Sequence, residues 1–244
     1  MSGHSKWANI KHKKEKTDAA KGKIFTKIGK EITVAVKAGG GDPTSNSKLR
    51  DLIQKAKSNN VPNDNIERCI KKALGSTGET YEEVVYEGYG PAGIAVIVTA
   101  TTDNRNRTAG NVRAYFSKYH GNMGQTGCVG YLFTDVGEIV INNEDGDVDE
   151  DKLMETALEA GASDFKADGE VFVVTTEPDD VYAIQDALKS EGYEILSAEK
   201  TKQASNYVTL ENEEEIKFMN LLIEKLEDDD DVMDVYHNWE NCGD

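Results

Sequence analysis

The sequence predicts an α+β protein of three domains. An N-terminal three-helix domain precedes two α/β domains, one of them ferredoxin-like and inserted in the other. Three observations carry this. The chain has 244 residues, more than one minimal domain needs. Apolar residues recur at helical spacing up to about residue 77, after which β-branched and aromatic runs of strand length take over. Between about 133 and 203 the elements read βαββαβ.

In the first part, DAAKGKIFTKIGKEITVAVKA places Ala20, Ile24, Ile28, Ile32 and Ala35 on one stripe, with Lys23, Lys27 and Lys30 largely off it. Thr17 or Asp18 is expected to cap this helix, and the glycines at 39–41 to stop it. Asp42–Pro43 reads as a capping acid and a first-turn proline opening a second helix, with Leu49, Leu52, Ile53 and Ala56 inward. Pro62–Asn63 opens a third, with Ile66, Cys69, Ile70, Ala73 and Leu74 inward.

YEEVVYEGYG and IAVIVTATT then read as strands around the turn GPAG. A helix capped by Asp103 or Asn104 follows, carrying Val112, Phe116 and Tyr119. GCVGYLFTDVGEIVIN is strand-like, and DEDKLMETALEAGA is a helix. DFKADGEVFVVTT is a hairpin, PDDVYAIQDALKSEGY a helix and EILSAEKTK a strand. The tail offers a short strand YVTL, a helix EEEIKFMNLLIEKLE and a strand VMDVYHNW. Residues 78–132 and 204–244 cannot each close a sheet alone, so they are expected to pair into one discontinuous domain around residues 133–203.

Charge divides the chain. Overall it carries 28 Lys+Arg and 45 Asp+Glu, yet residues 1–77 hold 17 of the former against 7 of the latter, leaving 11 against 38 for the rest. Such a split concerns partners and long-range fields rather than fold. Its extreme is SGHSKWANIKHKKEK, where Lys6, Lys11, Lys13, Lys14 and Lys16 surround Trp7. Lysines suit a phosphate backbone, and a ring can stack on an unpaired base. The alternatives are a solubilising tail, or Trp7 folding back onto the helices. A second cluster, Arg105, Arg107 and Arg113, suits phosphate or carboxylate equally, so it either meets a ligand or pairs with neighbouring acids to fix a domain contact.

Catalytic patterns are missing. The four histidines stand in no metal-protease or paired Cys/His spacing, and GYGPAG fits neither phosphate-loop pattern. NEDGDVDED misplaces the glycine of a calcium loop and reads as a solvated acidic loop. Asp228–Asp231 reads as a solvated turn rather than a magnesium site. No catalytic residue, metal or cofactor is expected. No run approaches the ~20 apolar residues of a membrane span, and the basic N-terminus lacks the apolar stretch of a secretory signal. Cys69, Cys128 and Cys242, odd in number and scattered, fit a reducing cytoplasm.

Three long stretches, GHSKWANIKHKKEKTDAAKGKIFTKIGKEI, DPTSNSKLRDLIQKAKSNNVPNDNIERCIKKA and YEGYGPAGIAVIVTATTDNRNRTAGNVRAYFSK, closely resemble the YebC/PmpR family. That resemblance implies a cytoplasmic protein of three domains, with a helical domain and two α/β domains around a cleft. It implies a regulator of transcription that binds DNA, or a ribosome-associated factor that contacts ribosomal RNA and helps translation through stretches such as proline runs. The family also includes a mitochondrial translational activator of cytochrome c oxidase. By position, Lys6, Trp7, Lys11, His12, Lys13 and Lys14 belong to its N-terminal motif, and Arg105 and Arg107 to TDNRNRT at 102–108. YHGNMGQTGCV at 119–129 departs from the family's usual loop. With Lys16, Lys23 and Lys27 these residues form the expected nucleic-acid-binding set, in a monomer that needs no membrane. An enzyme with a carboxylate-lined cleft between its α/β domains, and a scaffold whose acidic surface binds basic protein, are the competing readings.

Overall fold

The computed structural model describes residues 18–75 and 80–242. Its α+β architecture is the one expected: a helical region, then two antiparallel sheets carrying helices.

Helices α1 (Asp18–Gly39), α2 (Ser47–Ser58) and α3 (Asn63–Gly75) enclose one core. Ile28, Ile32, Ala35 and Val36 meet Leu49, Leu52 and Ala56, closed by Ile66 and Ala73. Burying a side chain such as Ile32 or Leu49 contributes about 1.5–3 kcal/mol. Leu74, read as inward, is instead 62% exposed in the final turn of α3. The start of α2 also differs from expectation. Asp42 Oδ1 accepts from Thr44 N at 2.9 Å and Thr44 Oγ1 at 2.8 Å, making a local turn rather than a cap. The cap is the buried Asn46. Its Oδ1 accepts from Leu49 N at 3.0 Å, and its Nδ2 donates to Ala35 O at 2.9 Å and Gly40 O at 2.8 Å. One amide therefore caps the start of α2 and ties it to the last turns of α1 and the glycine turn that follows. Gly40 permits the reversal with φ of 84°.

The first sheet has the order β3–β1–β2–β8, all neighbours antiparallel: β1 is Glu82–Tyr89, β2 Ala95–Thr102, β3 Asn122–Met123 and β8 Val232–His237. The intervening residues build the second sheet, so the first is assembled from two separated stretches of chain. Almost every position of β2 is buried, as its unbroken apolar run requires. Helices α4 (Arg105–Lys118) and α7 (Glu213–Asp228) pack on this sheet and each other through Val112, Phe116, Met219, Leu222 and Leu226. Helix α1 meets β2 and β8 as well.

Gly-Cys-Val-Gly at 127–130, read as strand, is a loop. Its amides point at the buried carboxylate of Glu87 on β1. Oε1 accepts from Gly127 N at 2.8 Å, and Oε2 from Val129 N at 2.9 Å and Gly130 N at 2.7 Å. Donors committed to a carboxylate are lost to a sheet ladder, so regular strand begins only at Phe133. Residues 207–210, read as a short strand, form an isolated bridge at Val208.

The second sheet has the order β5–β6–β4–β7, again antiparallel: β4 is Phe133–Asn142, β5 Asp164–Asp168, β6 Val171–Thr176 and β7 Ile195–Ala204. With α5 (Glu150–Glu159) and α6 (Val181–Ser190) this is the ferredoxin-like arrangement. Ile139, Ile141, Phe172 and Val174 alternate onto the face that meets Leu153, Ala157, Ile184 and Leu188. Gly137 allows that contact, since a Cβ there would lie 2.6 Å from Val181 Cβ. The helical region and first sheet form one compact unit, the second sheet and its helices another.

Asn46→Ala removes the cap of α2 and the side-chain bonds to Ala35 O and Gly40 O. A loss of about 2–3 kcal/mol is expected, measurable as a lower urea midpoint, with Asn46→Asp recovering only the capping part.

Candidate functional site

Lys23, Lys27 and Lys30 follow one another at i, i+4 and i+7 and so line one face of α1 over about 10 Å. That face meets the end of α7, where the helix leaves carbonyls without intrahelical donors and carries the negative pole of its dipole. Lys23 pairs with the Asp228 carboxylate. Lys27 Nζ donates to Glu227 O at 2.6 Å, and Lys30 Nζ to Asp230 O at 2.8 Å. Burial lowers the Lys27 pKa against the pull of Glu227 and its acidic neighbours.

The centre of the contact is Asp231, whose side chain is 8% exposed. Its Oδ1 accepts from Lys30 Nζ at 2.8 Å. Its Oδ2 accepts from Arg107 at 2.6 Å, Thr108 Oγ1 at 2.8 Å and Thr102 Oγ1 at 3.2 Å. Burial alone would raise this carboxyl's pKa. The bonds from Arg107, Lys30 and Thr108 overcome that and hold it far below the usual carboxylate range. Asp231 is therefore an anion at neutral pH and cannot act as a general acid there.

The TDNRNRT segment is shaped around this anion. Thr102 ends β2, and Asn104 caps α4 by accepting from Arg107 N at 3.1 Å. The turn brings Arg107 and Thr108 to one carboxylate, while Arg107 also reaches Asp103 at 2.7 Å. Nearby, Tyr115 Oη donates to Asp229 Oδ2 at 3.0 Å, and Asn111 Nδ2 to the same atom at 3.3 Å. The Tyr115 phenol is pushed up to about 12, by burial first and then by Asp229. A second ionic group lies further along: Lys55 of α2 sits 3.2 Å from both Glu31 of α1 and Asp234 of β8. Burial opposes its charge, but Asp234 and Glu31 prevail and its pKa is raised.

Lys30, Tyr81, Asp103, Arg107, Asn111 and Asp229–Asp231 line a cleft of about 430 Å³ beside this contact. Of its carboxylates, Asp103 and Asp231 are tied to cations and Asp229 to a hydroxyl and an amide. Among the described residues no group of three or more His, Cys, Asp or Glu could hold a metal ion.

Lys6, Trp7, Lys11, His12, Lys13, Lys14 and Lys16 lie outside the described residues. Lys23 and Lys27 are brought together with the acidic segment. Arg107 fulfils the internal-pairing alternative. Arg105 and Arg113 stand apart from the contact, exposed on α4. Asp231 was missed: the acidic run read as a solvated turn, whereas its last member is buried. The available signal was position, because Asp231 directly precedes the buried Val232 that opens β8.

The family description "TACO1/YebC protein N-terminal domain" matches residues 5–76, and "TACO1/YebC second and third domain" matches residues 81–239. A protein of Acetivibrio thermocellus named "Probable transcriptional regulatory protein" is 58% identical over 240 residues, covering 98% of this chain and 99% of its own. One of Ruminiclostridium cellulolyticum with the same name is 56% identical, covering 98% and 97%. The crystal structure of a conserved hypothetical protein from Aquifex aeolicus superposes with a TM-score of 0.80 at 43% identity, covering 92% of each chain.

Asp231→Ala leaves the largely buried Lys30 without its carboxylate beside a void and is expected to cost about 3 kcal/mol, read as a lower thermal midpoint and faster amide exchange in α1. The sign of the linkage follows from the lowered carboxyl. Its stabilisation is complete above the ordinary carboxylate range and disappears as pH falls toward its own depressed value. Asp231→Asn should therefore be less stable at pH 7 and lose less on acidification.

Raised to about 12, Tyr115 should contribute fully below about pH 10 and fade between there and about 12. In an alkaline absorbance titration, Tyr115→Phe should remove one late-ionising phenol.

Proposed function

This chain belongs to the TACO1/YebC family, and on that premise we propose that it is a non-enzymatic, cytoplasmic regulator of gene expression that binds nucleic acid through its basic N-terminal region. The observation that carries this reading is the charge split, 17 Lys+Arg against 7 Asp+Glu over residues 1–77 and 11 against 38 thereafter. A polyanion is drawn to one end of such a chain and repelled by the rest. The relatives' shared name favours DNA and transcription as the setting.

The internal pairing of Lys23, Lys27 and Lys30 sharpens the proposal. With these ammonium groups held by residues 227–231, the nucleic-acid contact is assigned to the lysines at 6, 11, 13, 14 and 16. A second reading, a translation factor touching ribosomal RNA, draws on the same arm, because lysines beside one aromatic ring suit backbone and unpaired bases rather than base edges in a duplex. None of the described helices is long and apolar enough to cross a membrane.

Neutralising the five arm lysines to Gln in the full chain should weaken DNA and RNA binding. It should also flatten log K against log salt by roughly 3.5 to 4.5. Unchanged binding by a folded variant would overturn the proposal. Crosslinking in cells then separates the two settings: promoter DNA supports transcription, ribosomal RNA supports translation.

A further inference from the structure

Helix α4 carries Arg105, Arg107, Arg113 and Lys118 with no acidic residue along its length, in a chain whose residues after 77 are strongly acidic. Arg107 is committed to Asp231 and Asp103. Among the described residues, Arg105 and Arg113 have no carboxylate within ion-pair distance, and both are exposed. The Tyr86 hydroxyl bonds the backbone carbonyl of Arg105 at 3.4 Å.

Between these cations lies a low, polar surface. Asn106, Gly110, Arg113 and Ser117 succeed one another at i, i+4, i+7 and i+11 and form one exposed stripe. Gly110 is the least favourable helix residue after proline, and the protein gives no packing reason for it, since a Cβ there would meet nothing within 4 Å. Its absence lets another backbone approach the helix. Asn106 and Ser117 supply hydrogen-bonding groups at either end of the stripe.

We propose that the exposed face of α4 is a second nucleic-acid contact, which lies across the shallow minor groove of duplex RNA with Arg105, Arg113 and Lys118 on phosphates and Asn106 and Ser117 against 2′-hydroxyls. It rests on the nucleic-acid reading above. The helix is seated on the sheet through Thr108, Val112 and Phe116, so only its outer side is offered. Deep entry into a DNA major groove would bring a groove wall toward Asp229, which bonds Asn111 and Tyr115 of this helix and repels phosphate. The wide, shallow groove of A-form RNA asks only for surface contact.

The test uses the full chain with a 20-base-pair RNA duplex and the matching DNA duplex, titrated in rising salt. Arg105→Gln with Arg113→Gln should weaken RNA binding about tenfold near physiological salt and reduce the salt slope by roughly 1 to 2. Gly110→Gln should keep or raise the thermal midpoint while weakening RNA binding severalfold, a combination that damage to the fold does not produce. Wild-type RNA affinity and slope in the double variant overturn the proposal, as does an equal loss on DNA. If the arm-lysine variant loses binding while the α4 variants do not, only this inference fails. If the unmodified chain binds neither duplex, the function proposed above fails with it.

Discussion

The carboxylate of Asp231 is the point on which the larger compact unit depends. It is almost fully buried, and an unpaired carboxylate there would be prohibitively costly. Four donors from two directions meet it: Lys30 from the helical region, and Arg107, Thr108 and Thr102 from the strand-to-helix turn of the first sheet. Removing one partner exposes the cost of all the others, so the group acts as a unit. Its worth lies less in net stability than in orientation. A lysine, an arginine and two hydroxyls reach one carboxylate together in few arrangements of α1 against β2, α4 and β8.

The same contact engages part of the molecule's positive charge internally. Lysines at positions 23, 27, 30 and 55 face the acidic segment 227–234 and are neutralised by carboxylates and helix-end carbonyls. The outward arginines of α4, Arg105 and Arg113, stand outside that contact. An average over the chain hides this, because the internal acids occupy cations that sequence position alone would offer to phosphate.

The loop at 124–130 repeats the theme with opposite polarity of roles. Glu87 is a buried anion in a strand, and three successive parts of the loop supply backbone amides to it. As at Asp231, a buried carboxylate organises chain that has no regular structure of its own. Two acidic side chains thus set the turn after β2 and the loop before β4.

By itself the sequence determined the helices and most strands, because apolar periods of 3.6 and 2 are local properties imposed by burial of one face. Ile28, Ile32 and Ala35, or Ile139 and Ile141, announce their faces without any partner. It also determined the ferredoxin-like order and the charge division. Tertiary structure alone decided what each charge touches. Asp42 and Asn46 are both good capping residues, and the choice of Asn46 turned on two carbonyls in α1 and the following glycine turn. Four consecutive aspartates look alike in a sequence, yet only Asp231 is surrounded by Lys30, Arg107, Thr102 and Thr108, contributed from positions over a hundred residues away. Electrostatic pairing is fixed by distance in space, which a linear pattern does not contain.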